Sequence, residues 1–271
     1  MFKRLYFYFW VSPDFKTNIA VKTHAHCLKH YIDFFDDLNF IVSLDNKYDT
    51  VKINEAIGWI DNIVDNKTYN IDIIDNNPDF GECSMLFNKI IPKIIKKDDD
   101  LCFFSHGKGT TNVSNQFLNK ESVLRWVISM YYYSFENFDA FLKENIDWCL
   151  CGPLKTKFHN TNLPHTTIKN HQFNYPGAFY WINTKNILNN LYIPINKLTD
   201  HVNRFFAEDF PFFLMENKIF DSMGGKYTIN TQCDLYHLES EKWKKYLENY
   251  GNAQECFDFQ NDILNKINYI K

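Results

Sequence analysis

"DDDLCFFSHGKGTTN" (Asp98–Asn112) runs from three acids, through a short apolar stretch, into a glycine-flanked lysine loop. "LCFFSH" has the length of a buried strand and is too short for a helix of ordinary size. Three comparable runs precede it: Leu5–Val11, "LNFIVSLD" (Leu38–Asp45) and "YNIDIIDNNPD". Helical spacing separates them. Asn18 can cap a helix carrying Val21, Ala25, Leu28, Ile32 and Phe35, and Ile57, Ile60 and Val64 repeat the pattern within Glu55–Val64. Met85, Leu86, Lys89 and Ile90 suit a third helix, which Pro92 kinks or ends. Strands of four to eight residues alternating with helices predict an α/β fold: a mostly parallel sheet flanked by helices.

That fold gives the two ends of the opening stretch different meanings. Open parallel sheets bind ligands outside the carboxyl ends of their strands. The polar segments there are Pro13–Asp14, Asp45–Asn46, Asp75–Asp79 and Ser105–Thr111. The Asp98–Asp100 triplet precedes its strand and belongs to the opposite edge, where it reads as a solvated loop after a lysine-rich helix end. Adjacent acids on one turn rarely converge on a divalent ion.

Downstream, Glu121–Asn145 reads as one long helix with Leu124, Val127, Ile128, Tyr131, Phe135, Phe138 and Leu142 on a stripe. "DWCLCGP" and "FNYPGAFYWINT" read as strands, "RFFAEDFPFFL" sets two acids among aromatics, and "CDLYHLES" is a last short strand or loop. Trp243, Tyr246, Leu247 and Tyr250 mark one C-terminal helix; Phe257, Ile263, Leu264 and Ile267 mark another. No repeat or Pro/Gly/Ser linker divides the chain, so residues 1–271 read as one domain with a helical tail at 241–271.

The chain has 271 residues, 45% apolar and 18% aromatic, and a net charge of −4. That supplies a substantial core, and the absence of a long basic run argues against a nucleic-acid partner. Seven scattered cysteines without a C-x-x-C pair read as free buried thiols in a reducing compartment. "MFKRLYFYFW" is too short to span a membrane and lacks a cleavage site, so it reads as the first strand. No stretch approaches the ~20 apolar residues of a transmembrane helix. A soluble, cytoplasmic protein is expected.

Each candidate site carries a functional reading and a structural one. In "SHGKGTT", Gly107 and Gly109 allow close approach of a ligand, Lys108 suits phosphate, and Thr110 and Thr111 add hydroxyls; a plain Gly-rich turn is the alternative. The Walker spacing is missing. Asp75 or Asn76 could meet a base or ribose, or form an Asx turn. Glu208 and Asp209 sit among aromatics, where burial raises a carboxyl pKa toward that of a general base. The alternative is acids at a helix N-terminus. His237 could contact metal or phosphate, or be a core histidine. Tyr175, Phe179, Tyr180 and Trp181 beside Gly177 could stack on sugar rings, or simply pack.

In order, "YFYFWVSPD", "IDIIDNNPDFGE", "LCFFSHGKGTT", "GAFYWIN" and "AEDFPFF" resemble the GT-A glycosyltransferases over roughly residues 3 to 240. Ser105-His106-Gly107-Lys108 stands where that family carries Asp-x-Asp. In this the chain resembles a surface-polysaccharide, rhamnan-synthesis type whose fourth strand ends in His-x-Lys-Gly. The resemblance implies a GT-A-like domain with a nucleotide-sugar-binding half (1–112) and an acceptor half (113–240). It implies a hexosyl- or deoxyhexosyltransferase moving a sugar from a nucleoside diphosphate, UDP above all, to a hydroxyl of a glycan. Pro13, Asp45, Asp75, Asn76, Asp79, His106, Lys108, Gly109 and Thr110 would hold the donor. His165, Gly177, Tyr180 and Trp181 would line the acceptor side. Asp209, with Glu208 as alternate, would be the base. Lys108 could replace the usual Mn²⁺ or Mg²⁺, or His106, an acid and His237 could still hold such an ion. Two other readings stay open: a non-catalytic nucleotide-sugar or glycan binding module of the same fold, and a metal-dependent phosphate hydrolase built on the Asp triplet and histidines.

Overall fold

The first apolar run forms β1 (Phe2–Trp10), and its alternation sets the architecture. Leu5, Phe7 and Phe9 enter one buried cluster, while Tyr6 and Tyr8 enter another. A strand buried on both faces requires a covering layer on each side. The computed structural model describes residues 1–77, 80–107, 110, 119–136, 138–153, 156–157, 173–175, 177–201, 206–222 and 238–269. After β1 come α1 (Ile19–Tyr31), β2 (Asp37–Leu44), α2 (Thr50–Val64), β3 (Asn70–Asp75), α3 (Gly81–Met85), α4 (Ile91–Lys96) and β4 (Asp100–His106). The second half holds α5 (Lys120–Phe135), α6 (Phe138–Glu144), β5 (Leu150–Gly152), β6 (Thr156–Lys157), β7 (Phe173–Asn174) and β8 (Tyr180–Asn183). Then follow α7 (Thr184–Ile187), α8 (Phe206–Asp209), β9 (Ile219–Asp221), α9 (Ser240–Leu247) and α10 (Ala253–Lys266).

Seven strands form one sheet in the order β3-β2-β1-β4-β8-β5-β9; β6 and β7 pair separately. β1 to β4 run parallel, β8 runs antiparallel between β4 and β5, and β9 is parallel to β5. The fold is therefore α/β with a mostly parallel sheet. α1, α2, α5, α9 and α10 contribute to the cluster on one face, and α3, α4, α7 and α8 to that on the other. Among the described residues no helix is long and apolar enough to cross a membrane. The six described cysteines are free and buried.

The Asp triplet lies at the amino edge of the sheet, as the order of elements requires. Asp100, 6% exposed, accepts from Arg4 Nε at 2.6 Å and pairs with Lys93 at 3.1 Å, while Arg4 Nη1 reaches Asp37 at 2.5 Å. These contacts pin the starts of β1, β2 and β4 together. A buried carboxylate held by two cations is a structural ion cluster.

Four expectations change in detail. The helix expected over 121–145 is two helices; beyond the break, Phe138 lies stacked on Trp181, with centroids 4.2 Å apart. α5 is buried on every side from Ser122 to Phe135, because α9 and α10 cover the side away from the sheet. Of the two effects expected of Pro92, a kink and an end, the helix shows distortion and does not end. Pro92 sits in the first turn of α4, and the preceding turn, Leu86–Ile90, widens to π geometry. Such a turn absorbs the amide that proline lacks. The aromatic segment expected as one strand is interrupted at Gly177 and Ala178, whose φ values are 92° and 50°. β9 was not expected, and the "CDLYH" part of the last segment lies outside the described residues.

Candidate functional site

β3, β2, β1 and β4 are adjacent and parallel, so their carboxyl ends meet along one edge. Side chains bind these ends together. Asp45, after β2, accepts on one oxygen from Trp10 Nε1 and Asn76 Nδ2, both at 3.0 Å. Asn76, after β3, also takes the Ser43 hydroxyl at 3.3 Å. Asp75 pairs with Lys47 at 2.9 Å and accepts the Lys47 amide at 3.2 Å; Lys47 holds its carboxyl below the ordinary range. Pro13 lies exposed in the turn after β1.

The loop after β4 is tied to the same edge. Gly107 donates its amide to Tyr8 O at 2.8 Å, and Thr110 folds back on Gly107 O through its hydroxyl at 2.9 Å. Asn18, the cap of α1, accepts from the Ala20 amide at 3.0 Å and donates to Thr110 O at 2.8 Å and Asp14 at 3.2 Å. One side chain therefore fixes the start of α1 against the β4 loop. The first turn of α1 carries no acid of its own, and the carboxylate beside it is that of Asp14.

His106, 7% exposed, meets Glu82 of α3 through Nδ1 at 2.7 Å. Its Nε2 is buried without a partner among the described residues. Such an orphan is costly unless a ligand or water completes it. Gly81 matters for space: a Cβ there would run into the Tyr8 hydroxyl. Burial pushes that phenol up to about 12, so Tyr8 stays a neutral donor.

α8 carries the second cluster. Glu208 accepts the Gly177 amide at 3.0 Å on its side chain and the Tyr175 amide at 3.3 Å on its carbonyl. Gly177 adopts a left-handed φ that glycine takes without penalty, so its amide can turn toward the acid. Asp209 is partly buried, and no described side chain or amide hydrogen-bonds its carboxyl. Burial first, and then the charge of Glu208, push its carboxyl up to about 7. Burial first, and then the charges of Cys83, Glu82, Glu208 and Asp209, push the Tyr180 phenol up.

The structure thus joins Asp45, Asn76, Asp75, His106 and Thr110 along one edge, and joins Glu208 to Gly177. Tyr180 and Trp181 are a correction. They point to opposite faces of β8 and both are 0% exposed. Tyr180 donates to Ala207 O at 2.7 Å and Trp181 to Ser134 O at 2.8 Å. They are core residues and cannot line an acceptor groove. Asp79, Lys108, Gly109, Thr111, His165 and His237 lie outside the described residues. Trp10, Lys47, Tyr8 and Glu82 escaped the sequence reading. An acid in the first turn of a helix reads as a dipole partner, which hid Glu82.

No group of three His, Cys, Asp or Glu side chains among the described residues is arranged to hold a metal ion, and His106 meets a single acid. Comparison of the chain with protein-family models, curated proteins and solved structures returned no match.

Proposed function

We propose that this protein is a glycosyltransferase of GT-A-like fold, moving a sugar from a nucleoside diphosphate to a hydroxyl of a glycan. The observation that carries the reading is the Glu208–Asp209 pair. A carboxyl with a pKa near neutrality stands on an element tied, through Gly177, to the strand beside β4. The polar β4 loop and the ends of β1 to β3 lie on the neighbouring edge. The first arrangement suits proton removal from a hydroxyl, and the second suits a nucleotide with its phosphates.

In this reading Asp45 and Asn76 hold the nucleoside. His106 Nε2 meets the diphosphate, with Lys108 and Gly109 as further donors from the sequence, while Gly107 and Thr110, whose amide and hydroxyl bond to Tyr8 O and Gly107 O, hold the loop in shape. The acceptor oxygen attacks the anomeric carbon as Asp209 takes its proton. The bond to the diphosphate oxygen breaks with its electron pair, and the sugar inverts. Charge grows on the leaving phosphate, where fixed donors lower the barrier.

The test is nucleotide release from a panel of UDP-, GDP- and dTDP-sugars with a glycan acceptor, with and without Mn²⁺. Asp209→Asn should lower turnover by ~10²–10⁴-fold. Unchanged turnover in that variant removes the base assignment. Donor binding without transfer to any acceptor would favour the non-catalytic binding module.

A further inference from the structure

Between α1 and α2, beside the edge described above, lies a cleft of about 620 Å³. None of the proposed donor residues lines it. Its size falls within the ~300–1,000 Å³ usual for small-molecule pockets. Its floor is apolar: Phe15, Val21, Ala25 and Trp59, with Val51 at its lip and 65% exposed. Trp59 packs against Phe9, with centroids 4.8 Å apart, and its buried Nε1 has no partner among the described residues. The cleft is long. Its α2 wall runs from Val51 to Asn62, about 16 Å of helix.

The lining carries two lysines against one acid. Lys16 and Lys22 both line the cleft and are exposed, and Lys22 has no acidic partner among the described residues. Glu55 is the acid in the lining, and it is already shared by Lys52 at 2.9 Å and Lys16 at 3.4 Å. His26, also in the lining, is held toward its neutral form by burial and then by the positive field of Lys266 and Lys29, against Asp262.

Gly58 borders this space. It sits within α2, where glycine is the poorest helix former after proline. A Cβ built there meets nothing within 4 Å, so no tight contact accounts for its presence.

We infer that the α1–α2 cleft binds a small amphiphilic anion. An aliphatic chain lies along Phe15, Val21, Ala25 and Trp59, and a carboxylate or phosphate head is held by Lys16 and Lys22. The length of the cleft favours a chain over a compact ring, and the cationic rim favours an anionic head. The occupant is independent of the glycosyl-transfer reading.

Titration calorimetry of the full chain tests this with decanoate, decyl phosphate, decanol and inorganic phosphate. Decanoate and decyl phosphate should bind saturably at one site, the tighter of the two naming the head group. Decanol should bind at least tenfold more weakly, and inorganic phosphate should not compete. Gly58→Leu should weaken both anions at least tenfold while its thermal midpoint stays equal or rises. Replacing Lys16 and Lys22 together by alanine should weaken the anions at least fivefold and leave decanol unchanged. Decanol binding as tightly as decanoate, or full anion affinity in a folded Gly58→Leu protein, overturns the inference. Nucleotide-sugar binding should be the same in Gly58→Leu as in wild type.

Discussion

Asp209 holds its proton to about pH 7, against an ordinary value of 3.8, and the direction of that shift has two consequences. Between these values the folded chain binds a proton that the unfolded chain has released. Stability therefore falls as pH rises from about 4 to 7, and this one group contributes ~2–4 kcal/mol to the fall. Asp209→Asn should flatten that dependence and be relatively more stable above pH 7, read as urea midpoints at pH 5 and 8. A base must be deprotonated to act, so kcat/KM should climb through about pH 7 to a plateau. Glu208→Gln removes the like charge, yet its amide oxygen can still accept the Gly177 amide. Its pH–rate inflection should move below 7 with little loss of stability. An unmoved inflection would separate Glu208 from the titration of Asp209.

Among the elements, α5 shows what holds the C-terminal helix α10 to the rest of the chain. Arg125, 2% exposed, reaches Glu121 at 2.8 Å, Gln260 at 3.0 Å and Asn261 at 3.1 Å; Gln260 returns bonds to Arg125 O and Ser129. Gln260→Ala leaves these buried groups short of partners and should cost ~2–4 kcal/mol by urea unfolding, with nucleotide-sugar affinity intact. The helix spacing of α10 was legible in the sequence, but this network was not. Trp243, Leu247, Cys256 and Leu264 belong to the main core, so the "tail" is a covering layer. β1 to β4 were legible because each is a run of apolar residues bounded by turns. β9 escaped because three residues carry no periodicity. The break in the aromatic segment escaped because a left-handed Ala178 has no compositional mark. At the site, Glu208 and Asp209 stood out as acids among aromatics, whereas the Glu82–His106 pair joins residues 24 apart in the chain. Tyr180 and Trp181 misled for the opposite reason: an aromatic beside glycine has the same letters whether it packs inward or faces a sugar.

At the scale of the whole molecule, the proposed function assigns binding to one edge of the sheet, while the other edge holds an ion cluster. At the amino edge, Arg4, Asp37, Lys93 and Asp100 form a partly buried ion cluster that ties three strands together. Removing one member of such a cluster leaves a charge uncompensated and costs ~3–5 kcal/mol. At the carboxyl edge, Asp45 is exposed and its bonds to Trp10 and Asn76 lie at the rim. Surface substitutions away from the core change stability by only ~0.5 kcal/mol. A ligand at one hundred times its Kd stabilises the folded chain by ~2.7 kcal/mol. For a chain of this size that is a rise in Tm of roughly 5–10 °C. A thermal-shift screen of nucleotide sugars should therefore resolve the edges. Asp100→Ala should lower the ligand-free Tm and keep the full donor-induced rise. Asp45→Ala should leave the ligand-free Tm near wild type and lose most of that rise. If Asp100→Ala abolished the rise while Asp45→Ala kept it, the ligand would sit at the acids before β4, and the loop after β4 would be a turn.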